Sequence, residues 1–334
     1  MNAVSNLLGT LFQRREAGIV VMIVLLVAAV GIIQPRFLSL ETLRIVMLAI
    51  PLIMIAAMGQ MMVLVARHVD LSIGSILGFS AIVAGMMFRD LPDWPVLVGV
   101  LVAVALGGAL GLLNGLLVTI FKLPSIIVTL GTLSLYRGFV FLVSNSRQVD
   151  PQFIPKSLIQ MSQTSPFIGI PWIVIIAFIV ALLTYFFLDH TRLGRQIYAM
   201  GSNPVAAPLR GIRVVPVTLL VFTISGALAG LTGVIYASRF GYVNPGITGV
   251  GFEFTVIAAV VIGGVSINGG VGTVLGTVLG VILLGTVNVA LPILGVSAFW
   301  QDAIYGTVII VALLIDRSVR QRGIKALSGA RSNA

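Results

Sequence analysis

Residues 43–66 read LRIVMLAIPLIMIAAMGQMMVLVA, and the chain then breaks at Arg67-His68-Val69-Asp70-Leu71-Ser72-Ile73-Gly74-Ser75 before a second apolar run begins. The first stretch carries one charge, Arg44. Its length matches the roughly 20 apolar residues that a helix needs to cross a bilayer core of about 30 Å. Lipid offers backbone groups no water, so a spanning segment has to satisfy its own N–H and C=O groups, as a helix does.

Working outward, nine further runs of this kind fill the chain. The expected spans are 17–33, 43–66, 71–88, 96–120, 125–143, 168–188, 217–237, 254–268, 273–290 and 298–315. Of the 334 residues, 58% are hydrophobic and 9% charged, against about 25% charged in a soluble domain. The expected fold is all-α: one polytopic transmembrane helical bundle over 1–334, of about ten spans with broken or re-entrant segments. Arg14 and Arg15 precede the first run and Gln34-Pro35-Arg36 follow it. With no small-residue cleavage site there, 17–33 is expected to be a retained span.

The absence of cysteine removes disulfides, thiolate metal sites and cysteine nucleophiles. The formal net charge of +10 reads as basic residues held on the cytoplasmic side, not as nucleic-acid binding. Thirteen of the 20 Lys and Arg fall in gaps on one side if the N-terminus starts inside, so both termini are expected to be cytoplasmic. Two gaps are long. Residues 144–166 lie on the outer side, and 189–216, with Arg192, Arg195, Arg210 and Arg213, on the inner side. A loop of that length usually has its own structure or partner.

The break at 67–75 admits two readings of equal weight: a segment interrupted at membrane depth beside a cavity, or a tight turn in which Asp70 caps the next helix. His68 stands without a second metal-type residue, so it reads as an interfacial side chain. A second break, Ile262-Gly263-Gly264-Val265-Ser266-Ile267-Asn268-Gly269-Gly270-Val271-Gly272, is too rich in glycine for a stable helix. It is no phosphate loop: the chain has no G-x-x-x-x-G-K-[ST]. Small residues recur at four-residue steps at Gly107, Gly111 and Gly115, at Gly226 and Gly230, and at Gly272, Gly276 and Gly280. Such faces read as packing seams. Polar residues within or beside spans are expected along a substrate path: Asp70, Ser72, Asn114, Thr129, Thr132, Glu253, Ser266 and Asn268. Each hydroxyl also has the plain reading of a bond to its own helix, and Glu253 that of a charge at a helix N-terminus. No catalytic or metal-binding constellation is visible, so neither an enzyme nor a metal site is expected.

These blocks resemble the membrane permease subunits of bacterial ABC importers for monosaccharides, the group of ribose, xylose, rhamnose and autoinducer-2 permeases. The resemblance runs from about Ala17 to Asp316. It rests on Val69 to Ser75, Asn114-Gly115, and Leu123-Pro124-Ser125-Ile126-Ile127-Val128-Thr129-Leu130-Gly131-Thr132 with Tyr136-Arg137-Gly138. It continues in Leu193-Gly194-Arg195, Gly201-Ser202-Asn203-Pro204, Ala206-Ala207 and Gly211-Ile212, then in Glu253, Ile257-Ala258-Ala259, Gly263-Gly264 and Gly269-Gly270. His68, Pro208, Arg210, Thr255 and Val271 depart from the usual pattern.

The resemblance implies a half-pore in the inner membrane that binds no cofactor itself. A second permease subunit would complete the path, cytosolic ATPase subunits would use ATP, and a periplasmic sugar-binding protein would deliver the substrate. Membrane lipid surrounds it, and nucleic acid has no role. Residues 189–216 would be the ATPase-coupling loop, through Gly194, Arg195, Gly201, Asn203, Ala206, Ala207 and Gly211. The implied cargo is a rhamnose- or ribose-like monosaccharide, with autoinducer-2 as the alternative. A secondary transporter or facilitator is the competing class; the scarcity of intramembrane carboxylates speaks against proton coupling.

Overall fold

The computed structural model describes residues 15–167, 169–297, 300, 301 and 303–311. Apolar runs become helices. In chain order they are α1 Arg15–Ile33, α2 Leu40–Val65, α3 Ile73–Asp90, α4 Val96–Ile120, α5 Ser125–Ser144 and α6 Lys156–Gln163. There follow α7 Trp172–His190, α8 Arg192–Ser202, α9 Ala206–Leu209, α10 Val214–Phe240, α11 Phe252–Ile262 and α12 Val274–Ile293. A last helical stretch covers the described part of 300–311. Eight of these helices are long and apolar enough to cross a membrane. The protein is therefore a polytopic helical membrane bundle. The basic tail after 311 lies outside the described residues.

α2 and α10 form the axis. α10 packs against α4, α2 and α3, and α2 also meets α12 and α7. α2 is buried from Pro51 to Val65, whereas α1 lies on the outside, with Leu25 63% and Ile32 82% exposed. Apolar side chains of this kind belong against lipid, since both core and solvent of a membrane protein are apolar.

The glycine steps are packing seams. A Cβ added at Gly107 or Gly111 of α4 would run into the carbonyl oxygen of Gly226 or Phe222 of α10, and one at Gly230 into that of Ala103. In the other half, Gly276 and Gly280 of α12 sit against the backbone of Gly263 and Ala259. Close backbone approach of this kind is how helices gain dispersion contact where lipid supplies no hydrophobic drive.

The expected span 254–268 does not form one helix. α11 covers 11 residues, about 16 Å of rise and too short to cross. It ends at Gly263, and the chain turns through Gly264, Gly269 and Gly270, all at positive φ. Glycine adopts that backbone without penalty, which is why the apolar run stops here. The two long gaps are also structured. Residues 144–166 hold a 3-10 turn and α6, pinned to the end of α10 where the Ser238 hydroxyl donates to Leu158 O (2.6 Å) and the Ser162 hydroxyl to Ser238 O (2.9 Å). Residues 189–216 fold into α8 and α9.

Candidate functional site

Three groups of residues come together at the breaks. The first is a buried polar tie around Asp70. After Val65 the chain leaves the helix through Arg67, in left-handed backbone with φ 66°, and Ser72 precedes the next helix. The Asp70 carboxylate accepts from the Ser72 amide (2.9 Å) and the Ser72 hydroxyl (2.6 Å). Asn114 of α4 donates to the Ser72 oxygen at 2.8 Å. Tyr136 of α5 lies 3.0 Å from both Asn114 Oδ1 and Leu110 O and donates to one of them. At the start of α5, Ser125 Oγ accepts from the Val69 amide (3.0 Å), and Thr129 donates to Ser125 O (2.8 Å).

Asp70, Ser72, Asn114, Thr129 and Tyr136 are all 0% exposed. Of the five expected path residues near the first break, Asp70, Ser72 and Asn114 form one buried hydrogen-bonded chain with Tyr136, whereas the Thr129 and Thr132 hydroxyls bond backbone oxygens of their own helix. The carboxylate makes an Asx-type turn just ahead of α3, whose N-cap position is Ser72, so Asp70 ties the turn to itself and does not cap the helix. Tyr136 is a member of this network that sequence reasoning did not assign. Its signal was present: Thr129, Thr132 and Tyr136 fall at i, i+3 and i+7, one face of a helix.

His68 packs against Phe222 (ring centroids 5.7 Å apart), with Nε2 3.4 Å from the Thr218 hydroxyl. Burial lowers its pKa to about 4, so the imidazole is neutral at pH 7. Glu253 shares no described hydrogen bond with the Asp70 tie; it lies in the first turn of α11, against the backbone of Gly74 and within electrostatic reach of Asp70. Beside it, Arg137 donates to Thr248 O at 2.8 Å. Ser266 and Asn268 lie in the glycine turn, where the Ser266 hydroxyl accepts from the Asn268 amide at 3.2 Å. Asn268 is exposed.

The third group is the lobe α8–α9. Thr191 caps α8 by accepting from the Gly194 amide (3.0 Å), and Asn203 accepts from the Ala206 amide (3.0 Å) at the start of α9. These side chains fold the lobe as N-caps fold any helix start. Gly194 abuts the end of α7. Gly201 lies against Val65 O, an oxygen that also accepts from the Gly270 amide at 2.8 Å. Gly270 packs on Ser202, Gly269 on Arg67, and the Tyr198 hydroxyl donates to Gly272 O at 2.9 Å. Burial, with the charge of Asp189 second, raises the Tyr198 pKa to about 12, so it keeps the proton it donates.

The lobe therefore rests on both helix breaks at once. Ala207 is buried, while Arg195, Asn203, Gly211, Arg210 and Arg213 are exposed. Exposed beside them are two large apolar side chains, Val205 (81%) and Leu209 (86%). Gly211, at φ 78°, turns the chain from α9 towards α10.

The fold and its breaks define a polytopic helical membrane bundle with two interrupted segments and a structured basic lobe. The family described as "Branched-chain amino acid transport system / permease component" matches residues 42–313, and the chain belongs to it, as a multi-pass permease subunit of an ABC importer in the inner membrane. Among its relatives, it is 36% identical to the autoinducer 2 import system permease protein LsrC of Salmonella typhi, over 96% of this chain and 91% of that protein. It is 34% identical to the protein of the same name from Photorhabdus luminescens, over 92% and 91%. For that of Enterobacter sp. (strain 638) the identity is 35%, over 93% and 89%. No solved structure matches.

Proposed function

We propose that this chain is half of the translocation path of an importer for autoinducer-2, taking up that small hydroxylated molecule at the expense of ATP hydrolysed on another chain. The cargo rests on the names of the relatives; among the expected substrates, it takes precedence over a rhamnose- or ribose-like monosaccharide. A second permease subunit completes the path, a periplasmic binding protein delivers the cargo, and cytosolic ATPase subunits dock on 189–216. ATP is their cofactor, in keeping with the lack of a phosphate loop here.

One observation carries the reading: α8 touches both helix breaks through Gly201, Ser202 and Tyr198. Force on the lobe reaches Val65 and Gly270 through backbone contacts that leave no slack, and packed interfaces of this kind switch between arrangements instead of deforming gradually. Val205 and Leu209 form the apolar centre of the docking surface, with Arg195, Arg210 and Arg213 at its rim. Gly194, Gly201, Asn203, Ala206, Ala207 and Gly211 shape the lobe. Asp70, Ser72, Asn114, Thr129 and Thr132 hold the first break in register, and Glu253, Ser266 and Asn268 flank the second half of the path.

The test is co-purification. L209D and V205D put a charge on an exposed apolar site and leave the bundle intact, so the variants insert normally and lose the ATPase subunits. An unchanged complex with both substitutions present would remove the lobe from the docking role.

A further inference from the structure

At the end of the bundle opposite the lobe lies a cavity of about 560 Å³, within the roughly 300–1,000 Å³ of small-molecule sites. Its walls are the outer half of α2 from Ile45 to Ile53, Leu77 of α3, the loop 247–251, the first turn of α11, the last turns of α10 and α12, and the helical stretch after 300. Four of these elements supply polar groups: Arg239 from α10, Thr255 from α11, Asn288 from α12, and Gln301 and Tyr305 from the last stretch. Tyr236 adds an aromatic face beside Arg239.

The polar groups are arranged rather than scattered. Tyr305 is hydrogen-bonded to Asn288 Oδ1, and Gln301 donates to Asn288 O at 3.3 Å, which leaves the Asn288 amide nitrogen as an uncommitted donor within the described hydrogen bonds. Arg239 is half-buried, with its guanidinium 4.9 Å from the Phe240 ring centre. No carboxylate among the described residues pairs with it. A position in the last turn of α10 accounts for a cation there, but a cation that only complements a helix end has no reason to face a cavity alongside a carboxamide, a hydroxyl and a ring.

We propose that this cavity is an outer binding site for a small neutral molecule bearing adjacent hydroxyl groups. The planar guanidinium donates in a fork to two neighbouring oxygens. Asn288 and Thr255 bond further hydroxyls, and the Tyr236 ring covers a C–H face. No carboxylate lies among the described wall residues, and with the apolar remainder of the wall this suits a polyol better than a cation or an acyl chain. The inference builds on the permease reading, and it gives the cargo a holding place before the breaks are moved from the other side.

Because the chain has no cysteine, V250C creates a single thiol on the exposed wall of the cavity, at a residue that bonds nothing in the proposal, and L97C a single thiol at the start of α4, on an exposed position away from it. The full chain is assembled with its ATPase and binding-protein partners in right-side-out vesicles and labelled with a membrane-impermeant maleimide. The probes are autoinducer-2, D-ribose and L-rhamnose. Labelling of V250C is expected to slow when at least one probe is present and labelling of L97C to stay constant. Adding R239Q is expected to weaken that protection about tenfold in probe concentration, as loss of a charge-assisted hydrogen bond implies. Failure to label V250C at all, protection by none of the probes, or equal protection of L97C overturns the site. ATP-driven uptake is scored separately: uptake without protection removes the site and leaves the permease reading, and protection without uptake does the reverse.

Discussion

The residue on which the first helix break turns is Asn114. It bridges the Ser72 oxygen and the Tyr136 hydroxyl in a space closed to water, so its loss leaves buried partners unmatched. N114L is expected to cost about 1–3 kcal/mol, the penalty of stranding buried polar groups, whereas Y136F, which keeps the ring and removes one hydroxyl, is expected to cost about 1 kcal/mol. Thermal unfolding of the purified protein in detergent would separate them; equal and negligible shifts would mean that the tie holds nothing. His68 adds a pH dependence. Its folded pKa of about 4 lies below the ordinary value of 6.5, so protonation favours the unfolded chain. The stabilisation it permits is complete above pH 6.5 and is lost as pH falls from 6.5 towards 4. The melting temperature of H68N is expected to fall less across that window than that of the natural protein, and parallel curves would refute the assignment.

At the scale of elements, the seam between α4 and α10 governs the bundle. Gly107 and Gly226 face each other with no room for a Cβ, so the gain in helix propensity on leaving glycine is outweighed by overpacking, about 1–3 kcal/mol. G226V is expected to lower thermal stability by that order, and A227V, one position round the helix, by less. Equal effects would deny the seam. This seam was legible in the sequence, because four-residue steps map directly onto one helix face. So were the helices: lipid and core ask for the same apolar side chains, and length alone then marks a span. The end of α11 was harder. Residues 254–268 are apolar enough to span, and only the positive φ of Gly264, Gly269 and Gly270 shows that the backbone turns away. Tyr136 was missed because an aromatic ring in an apolar run reads as packing until its hydroxyl is seen to face Asn114. The outer cavity was illegible for another reason: its polar groups come from residues 239, 255, 288, 301 and 305, and no local pattern places them together.

At the scale of the whole molecule, the lobe at one end and the cavity at the other are joined by α2, α10 and the two breaks. G201V, which would drive a side chain into Val65 O and the Gly270 amide, is expected to uncouple ATP hydrolysis from uptake while the ATPase subunits remain bound. Normal uptake in that variant would show that the lobe transmits no force through this contact. A permease half-pore of this kind transports only by drawing on ATP through a separate motor. The most direct measurement is uptake of labelled autoinducer-2 into proteoliposomes holding the assembled complex and binding protein, with and without ATP. Accumulation above the external concentration is expected only with ATP, and none by the chain alone. Uphill uptake by the isolated chain without nucleotide would contradict that.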